Sequence, residues 1–577
     1  MAPSYYTDGP APRWVSDDLG PGYKPNKVTG PNLTAPIGYI PQVPHTYAYW
    51  SSNFAILNEH NVGIGETTCS AMFHTCARGD TRGCGPGRTS GSALLDIRML
   101  TMFGLERATT AREAIEVMGK LAYEYGFYGT HDANGHGESL MVGDSQEAWV
   151  FHILADPTGT KAIWAAVRVP DDSMTVASNM FTIRAVDVND TENCMASPNV
   201  YSVAQERGWW KPGEVLDFTK VYSNGEYGSK YYSGRRMWRS LSLAAPSLKL
   251  DPEYKDLRYD RIWPWAAKPD KLITRQDIFR WYRDWYAGTQ FDMTKGLAAG
   301  FGGTPDRWDT PQQSEVIGAW ERSIALYRTG LIKVVQIQTT TLERPKEVAA
   351  VAWCAPGPAH YSPFLPIPSG LRTALKPLSE VTPKHFSKSA FNWEARKVMM
   401  TAQIRFDHMH PLVEARQAEV ESAAQNMLTS VQEALTNGRQ MSHLGKEFVK
   451  HTERTLKTWE LLSEEMITRF SDNSDISRIS AKPHDVGVDE NIASFGYPAW
   501  WLRAVGFDKG KLPPAEKQCP PLCPGPLELV EERESRGSLL IGAIFTGLVP
   551  VSMLLVVGFV KSRSCSHDAK DTAYSQL

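Results

Sequence analysis

Apolar side chains recur at helical spacing in one stretch that begins after residue 110. Thr110 is followed three positions later by Glu113, which is the spacing of a capping box at the start of a helix. Gly126 follows the last apolar position and suits the left-handed conformation that often ends a helix. The pattern therefore predicts one amphipathic helix, whose buried face is formed by Ala114, Ile115, Met118, Leu121, Ala122 and Tyr125.

Apolar runs of strand length follow this helix. Residues 139–142 and 148–154 flank a turn-forming sequence, and this arrangement predicts a hairpin. Residues 161–169 then turn at a Pro-Asp-Asp sequence into residues 174–177, which extends the prediction to a β-meander. Further along, residues 405–470 have the pattern of helices with a mixed polar surface. Sheets and helices together predict a layered body.

One segment near the end of the chain carries no charge. Residues 539–560 are long enough to cross a hydrocarbon layer of roughly 30 Å as a helix, so we predict a transmembrane span; a buried core helix is the alternative. Lys561 and Arg563 follow it without acidic residues, which favours a cytoplasmic tail and a luminal or extracellular body. The first 30 residues lack the apolar core of a signal peptide, so a tail-anchored protein with a cytosolic body is the other topology.

Several short signals agree with a luminal body. Asn32 and Asn189 lie in glycosylation sequons, and the tail ends in Tyr-Ser-Gln-Leu, which resembles an endosomal and lysosomal sorting signal. These features indicate a single-pass membrane glycoprotein of the endolysosomal system. Six cysteines could form pairs in an oxidising compartment: Cys69, Cys76, Cys84, Cys194, Cys519 and Cys523.

Composition narrows the functional classes. The 577 residues include 18 Trp and 22 Tyr, which indicates a globular body, and the net charge of −3 gives no sign of nucleic-acid binding. The sequence has no Gly-x-Ser-x-Gly elbow, His-Glu-x-x-His helix or phosphate-binding loop. His131, Asp132 and His136 fit no standard metal spacing and are expected to be solvated loop residues. No metal and no cofactor is predicted.

The sequence at residues 58–69, Asn-Glu-His-Asn-Val-Gly-Ile-Gly-Glu-Thr-Thr-Cys, resembles a signature of the N-terminal-nucleophile cysteine dipeptidases, the group that contains bacterial dipeptidase A and the secernins. Further matches follow in the family's order over residues 35–400. They include Leu-Leu-Asp-Ile-Arg at 94–98, Ala-Ser-Asn-Met at 177–180, Arg-Arg-Met-Trp-Arg at 235–239 and Phe-Asp-Met-Thr-Lys-Gly at 291–296. This ordered series is far more specific than any single match.

The resemblance implies an α+β fold of the Ntn-hydrolase type, an αββα sandwich in which two antiparallel sheets lie between helical layers. A helical C-terminal part and one transmembrane helix complete the expected fold. The predicted organisation is a Pro- and Gly-rich segment at 1–45, a dipeptidase body at 46–400, a helical part at 401–510, a Pro-rich linker at 511–538, the span at 539–560 and a cytoplasmic tail at 561–577.

The resemblance also suggests site residues. Asn179 lies where the family places an amide that stabilises an oxyanion, and Arg236 lies where related acylases place an arginine beside the nucleophile; Arg235 is the alternative. A turn residue and an ion-paired arginine are the structural alternatives. Asn58 and Glu59 are candidates to line the substrate cleft, or else Asn58 bonds to local backbone and Glu59 is structural.

The family's nucleophile is a cysteine that becomes the first residue after processing, so that its own α-amino group accepts the proton. The sequence begins Met-Ala-Pro-Ser, the nucleophile stays unknown, and we expect the chain as written to lack dipeptide hydrolysis. Cys69 is an internal alternative, but a structural or disulfide role is expected for it. Two functions follow: a cysteine dipeptidase that hydrolyses short peptides, or a catalytically inactive relative that acts as a binding or scaffold module.

Overall fold

The computed structural model describes residues 5–6, 12–15, 36–52, 54–81, 84, 90–129, 137–225, 230–252, 263–308, 320–380, 385–471, 474–475 and 495–507. The chain divides into two compact units, Met1–Pro498 with Leu577, and Ala499–Gln576. Within the second unit, the described structure is one short helix and the turn after it. The first unit contains the other described helices and strands.

Most strands of the first unit are short and antiparallel. In chain order they are β1 (Tyr5–Tyr6), β2 (Pro12–Val15), β3 (Gly38–Pro41), β4 (His45–Thr46), β5 (Tyr49–Ser51), β6 (Ala55–Asn58), β7 (Gly63–Cys69), β8 (Gly137–Gly143), β9 (Ala148–Ala155), β10 (Ala162–Arg168), β11 (Met174–Thr175), β12 (Ala185–Val186), β13 (Cys194–Ala196), β14 (Leu216–Asp217), β15 (Ala266–Ala267), β16 (Ile332–Ile337), β17 (Ala350–Ala355) and β18 (Leu365–Pro368).

The helices are distributed along the chain, and the two longest, of 31 and 30 residues, lie in its C-terminal part. They are α1 (Ile97–Arg107), α2 (Ala111–Tyr125), α3 (Val200–Glu206), α4 (Phe218–Tyr222), α5 (Arg235–Ala244), α6 (Arg275–Tyr282), α7 (Lys346–Ala349), α8 (Lys376–Ser379), α9 (Phe391–Ala402), α10 (Phe406–Thr436), α11 (Met441–Phe470) and α12 (Ala499–Ala504). A π-helical turn, Lys230–Gly234, leads into α5. The predicted helices of residues 405–470 are therefore confirmed as α10 and α11.

The predicted amphipathic helix is α2. The Thr110 side chain accepts a hydrogen bond from the Glu113 N–H, and Gly126 ends the helix with a φ of 77°. Its apolar face packs against the main sheet closely enough that Gly119 has no room for a side chain. A Cβ there would lie 2.4 Å from the Trp164 ring.

The main sheet has seven antiparallel strands in the order β13-β10-β9-β8-β7-β6-β5. The predicted hairpin is confirmed as β8 and β9, whose ladder closes at Gly143 opposite Ala148. The predicted continuation of the meander beyond β10 is wrong, because β11 pairs with β15 in a separate sheet. The edge of β10 is instead occupied by β13, a distant segment that local sequence does not identify.

Four layers stack in the order helix, sheet, sheet, helix. Helices α1 and α2 pack on one face of the main sheet. A second antiparallel sheet, β16-β17-β18, packs against β6 and β7 on the other face, and α10 and α11 contact its β18 strand. Gly63 marks the contact of the two sheets, because a Cβ at that position would lie 2.9 Å from Val335. The fold is thus of mixed α+β class.

Part of the predictions from sequence falls outside the described residues. Among those described, no helix combines the length and apolar character that a membrane crossing requires. The predicted span at 539–560, the linker and tail, and His131, Asp132 and His136 all lie outside them. Of the six cysteines considered, Cys76 and Cys84 form a disulfide, Cys69 and Cys194 carry buried thiols, and Cys519 and Cys523 are not among the described residues.

Candidate functional site

The C-terminal half of β7 combines polar side chains with a central position in the sheet. β6 pairs with β7 only near its start, where Leu57 lies opposite Gly63, whereas β8 pairs with β7 along its whole length. Thr67 and Thr68 therefore lie in a central strand with few neighbours on one edge. Consecutive polar residues in such a strand need partners from elsewhere in the chain.

Asn179 supplies those partners. Its backbone N–H donates to Thr67 Oγ1 at 3.0 Å, and its side-chain Nδ2 donates to the Thr68 carbonyl at 2.8 Å. The backbone of Asn179 is left-handed, with a φ of 58°, a conformation that asparagine tolerates better than most residues. This strained geometry places the side chain at β7.

Arg236 fixes the orientation of the Asn179 amide. One Arg236 Nη donates to Asn179 Oδ1 at 2.8 Å and to the Ser178 carbonyl at 3.2 Å, while its Nε donates to the Tyr232 carbonyl at 2.7 Å. Because Oδ1 must face this donor and Nδ2 must face Thr68, the amide has one possible orientation. The second N–H of Nδ2 has no partner among the described residues, and Asn179 is only half-buried.

The electrostatic environment of Arg236 is cationic. Burial, and then the charge of Arg322, lowers the pKa of Arg236 to about 10. Arg236 nevertheless keeps its charge at neutral pH. Its hydrogen bond to Oδ1 polarises the amide, which makes the N–H groups of Asn179 stronger donors.

Arg235 has a different role from its neighbour. Its guanidinium is buried, donates to Glu321 Oε1, and lies 3.5 Å from the centre of the Phe291 ring. An arginine that is paired and stacked in this way stabilises the fold. Of the two adjacent arginines, the structure brings Arg236 to Asn179.

Asn58 lies elsewhere. Its Nδ2 donates to the carbonyls of Leu105 at 3.0 Å and Ala108 at 2.8 Å, and its Oδ1 accepts from the backbone of His60 and Val62. The residue is fully buried beside the start of β7, roughly 15 Å along the strand from the Asn179 contacts. These contacts agree with the alternative in which Asn58 bonds to local backbone instead of lining a substrate cleft.

Glu59 lies at the same distant end of β7. One carboxylate oxygen accepts from the Ala48 N–H at 2.7 Å, and the other pairs with Arg372 at 2.6 Å. The structure therefore does not bring Asn58 and Glu59 to the Asn179 cluster. Their proposed place in a substrate cleft stays a prediction without a contact in its favour.

Cys69 ends β7 next to the cluster. Its side chain is 2% exposed, and its thiol donates weakly to the Thr67 carbonyl at 3.5 Å. Cys69 directly follows Thr68, whose carbonyl accepts from Asn179, and Asn179 in turn accepts from Arg236. A buried thiol of this kind behaves as a small apolar side chain unless an acceptor removes its proton.

Sequence reasoning missed the groups that support Asn179 from behind. His152 on β9 is fully buried, and its Nε2 accepts from the backbone N–H groups of Thr182 at 2.8 Å and Ile183 at 3.1 Å. Burial lowers the pKa of His152 to about 3, so the ring is neutral. It thereby ties the segment that carries Asn179 to the sheet. A lone histidine in an apolar strand gave no signal of this contact.

A buried carboxyl pair lies next to the cluster on β7 and β8. Glu138 is opposite Thr68 in the ladder, and the Thr68 hydroxyl donates to Glu66 at 2.9 Å. Burial, followed by the charge of Glu66, raises the pKa of Glu138 well above its usual range. Burial also raises the pKa of Glu66, so both carboxyl groups favour their protonated forms more than a solvated carboxyl group does. The described residues hold no group of three His, Cys, Asp or Glu side chains that could bind a metal.

These features define an α+β protein with an accessible amide donor beside a guanidinium at the end of a central strand. The chain belongs to peptidase family C69, because residues 26–419 match the model of that family. This match confirms the resemblance seen in the sequence.

Curated relatives carry dipeptidase names. A "Probable dipeptidase" of Latilactobacillus sakei is 23% identical over 49% of this chain and 52% of its own length. "Dipeptidase A" of Lactobacillus helveticus is 23% identical over 50% and 53%. A "Probable dipeptidase A" of Streptococcus pyogenes is 23% identical over 69% and 77%. The chain spans about half the length of the first two.

Proposed function

We propose that this protein is a cysteine-type dipeptidase of the Ntn-hydrolase class that hydrolyses short peptides. The observation that carries the proposal is the Asn179 amide, which is oriented by Arg236 and Thr68 and has one N–H that no described residue uses. The order of its layers, helix, sheet, sheet and helix, agrees with the αββα sandwich of that class. Family membership and the names of the relatives favour this function over an inactive scaffold.

The proposed chemistry is acyl transfer. A cysteine thiolate attacks the scissile carbonyl carbon, and the carbonyl oxygen becomes an oxyanion. This oxyanion accepts a hydrogen bond from the remaining N–H of Asn179. The C–N bond then breaks, and the amine leaves with the proton that the thiol gave up. Water hydrolyses the resulting thioester and restores the thiol. Arg236 favours the thiolate by its charge.

The test combines turnover with identification of the nucleophile. In contrast to the expectation drawn from its first residues, we expect the protein to hydrolyse unmodified dipeptides, and a peptide-like thiol-reactive inhibitor to label one cysteine and stop turnover. Mass spectrometry then identifies the labelled residue and the mature N-terminus. Labelling of Cys69 would make it the nucleophile. Absence of both turnover and labelling would contradict the enzyme and favour the binding or scaffold module.

Membrane attachment is a separate proposal. It is supported by the uncharged sequence at 539–560, the exposed Asn189 of the sequon and the Cys76–Cys84 disulfide, which suits an oxidising compartment. We place the dipeptidase body at 46–400 and its helical continuation at 401–510 in an endolysosomal lumen, followed by the linker at 511–538 and the span, with the tail at 561–577 in the cytoplasm. Protease treatment of sealed membranes should spare the body and remove the tail. Digestion of the body would contradict this topology.

A further inference from the structure

Two arginines lie over the same aromatic ring beside the Asn179 amide. The guanidinium carbons of Arg236 and Arg322 are 5.1 Å and 4.1 Å from the centre of the Tyr232 ring. The backbone of Arg322 is held there, because its N–H donates to the Tyr231 carbonyl at 2.9 Å. The Tyr286 hydroxyl also donates to the Arg322 carbonyl at 2.5 Å. Two cations are thus placed within about one Debye length, roughly 10 Å, of each other.

Arg236 differs from the arginines around it in its partners. Arg235 pairs with Glu321, and Arg239 pairs with Asp284 through two hydrogen bonds. The hydrogen bonds of Arg236 go only to neutral oxygens, and within the described part of the chain no carboxylate pairs with it. The lowered pKa of Arg236 reflects burial first and then repulsion from Arg322. An anion bound between the two guanidinium groups would relieve that repulsion.

The Tyr232 ring that both arginines contact is accessible to a ligand. Tyr232 is 37% exposed, although both guanidinium groups stack on it. Guanidinium groups bind carboxylates through paired N–H donors, which gives this position a chemical preference. Arg236 also contacts Asn179 directly, so a carboxylate held here would lie close to the group that receives the oxyanion.

We propose that Arg322, together with Arg236, binds the free C-terminal carboxylate of a dipeptide whose scissile carbonyl faces Asn179. This inference rests on the proposed function and adds to it the residue that selects the substrate. In a dipeptide the carboxylate belongs to the residue directly after the scissile carbonyl, one peptide unit further along the chain. A cation held beside Asn179 admits an unblocked dipeptide and disfavours one whose carboxylate has been converted to an amide.

The experiment compares one dipeptide with its C-terminal amide. We expect the full-length protein to prefer the free acid. Arg322→Gln should lower kcat/KM for the acid by about 10- to 100-fold, mainly through KM, and leave the amide unchanged, so that the preference is lost. Arg322→Lys keeps the charge but not the paired donors, and it should retain an intermediate preference. Arg416→Gln, a change of the same type on the surface of α10, is the matched control.

The outcomes separate this inference from the function. An unchanged ratio of acid to amide in Arg322→Gln overturns the carboxylate site while dipeptide hydrolysis stands. A dipeptide amide with an acidic second side chain that binds as well as the free acid also overturns it, because a side-chain carboxylate then suffices. If the wild-type protein hydrolyses neither substrate, the proposed function fails. Calorimetric binding of the dipeptide and its amide to the wild-type and Arg322→Gln proteins still decides whether Arg322 reads the carboxylate.

Discussion

Replacement of Asn179 separates the chemical role of its amide from its structural role. Asn179→Asp keeps the shape, tolerates the left-handed backbone and still accepts from Arg236, but a carboxylate has no N–H to donate. Loss of one oxyanion donor elsewhere costs about 100- to 1000-fold in kcat. We therefore expect Asn179→Asp to lower kcat for dipeptides by at least about 100-fold with a small change in KM.

Two further variants measure the structural part. Asn179→Ala and Asn179→Gly both remove the hydrogen bonds to Thr68 and Arg236, each worth about 1 kcal/mol of stability. Only alanine is also strained at a φ of 58°, by roughly 1 to 2 kcal/mol. Asn179→Gly should thus unfold with a free energy about 1 kcal/mol higher than Asn179→Ala, while both lose turnover equally.

The assays are steady-state kinetics on an unblocked dipeptide and urea unfolding followed by tryptophan fluorescence. Asn58→Asp serves as a control for the kinetics, since Asn58 makes a similar number of hydrogen bonds at the other end of β7. It should lower stability without a specific loss of kcat in the protein that remains folded. An Asn179→Gly protein that is folded and retains wild-type kcat would refute the oxyanion role.

Two predictions concern buried polar groups, His152 behind Asn179 and Asp306 elsewhere in the fold. His152→Gln should lower by about one the number of protons that the protein takes up when it unfolds between pH 3 and pH 6.5. The pKa of folded His152 is about 3, so this residue should lower the free energy of unfolding of the wild-type protein by up to about 1.4 kcal/mol per pH unit as the pH falls below about 6.5. Equal slopes of unfolding free energy against pH for the two proteins would contradict this prediction. Asp306→Asn should cost about 3 to 5 kcal/mol in urea unfolding, since buried Asp306 accepts from His360 at 3.0 Å and Tyr361 at 2.7 Å. A loss under 1 kcal/mol would contradict that estimate.

The elements that could be predicted are those whose signals are local. Helix α2 carries its own cap, and the β8–β9 hairpin carries its own turn. The contact of Asn179 with Arg236 could be anticipated only through the family resemblance, because 57 residues separate them. The pairing of β10 with β13 and the place of Arg322 over Tyr232 depend on long-range packing that no local pattern contains. These pairings are determined by tertiary contacts, which local sequence does not specify.

Hydrogen-bond partners also distinguish the structural role of Asn58 from the proposed catalytic role of Asn179. Asn58 and Asn179 are the same residue type, and both lie near β7. Four backbone groups use the Asn58 amide completely, whereas Asn179 is partly exposed and has one N–H without a partner in the described part of the chain. The difference lies in the count of satisfied donors, which depends on where helix α1 and the 232–236 segment pack. Sequence position next to a signature is therefore a weaker guide to a site than an unused donor.

Acidification changes the contributions of His152 and Glu138 to the free energy of unfolding in opposite directions. His152 is neutral when folded, with a pKa of about 3, so its contribution is lost as the pH falls from about 6.5. The raised pKa of Glu138 means that the folded protein holds an extra proton; its contribution is present at low pH and lost as the pH rises through that pKa. As the pH falls, the contact of His152 with the segment that carries Asn179 is therefore weakened, while the contribution of Glu138 is retained. Because Asn179 must stay docked for the proposed chemistry, we expect protonation of His152 to set the acidic limit of activity.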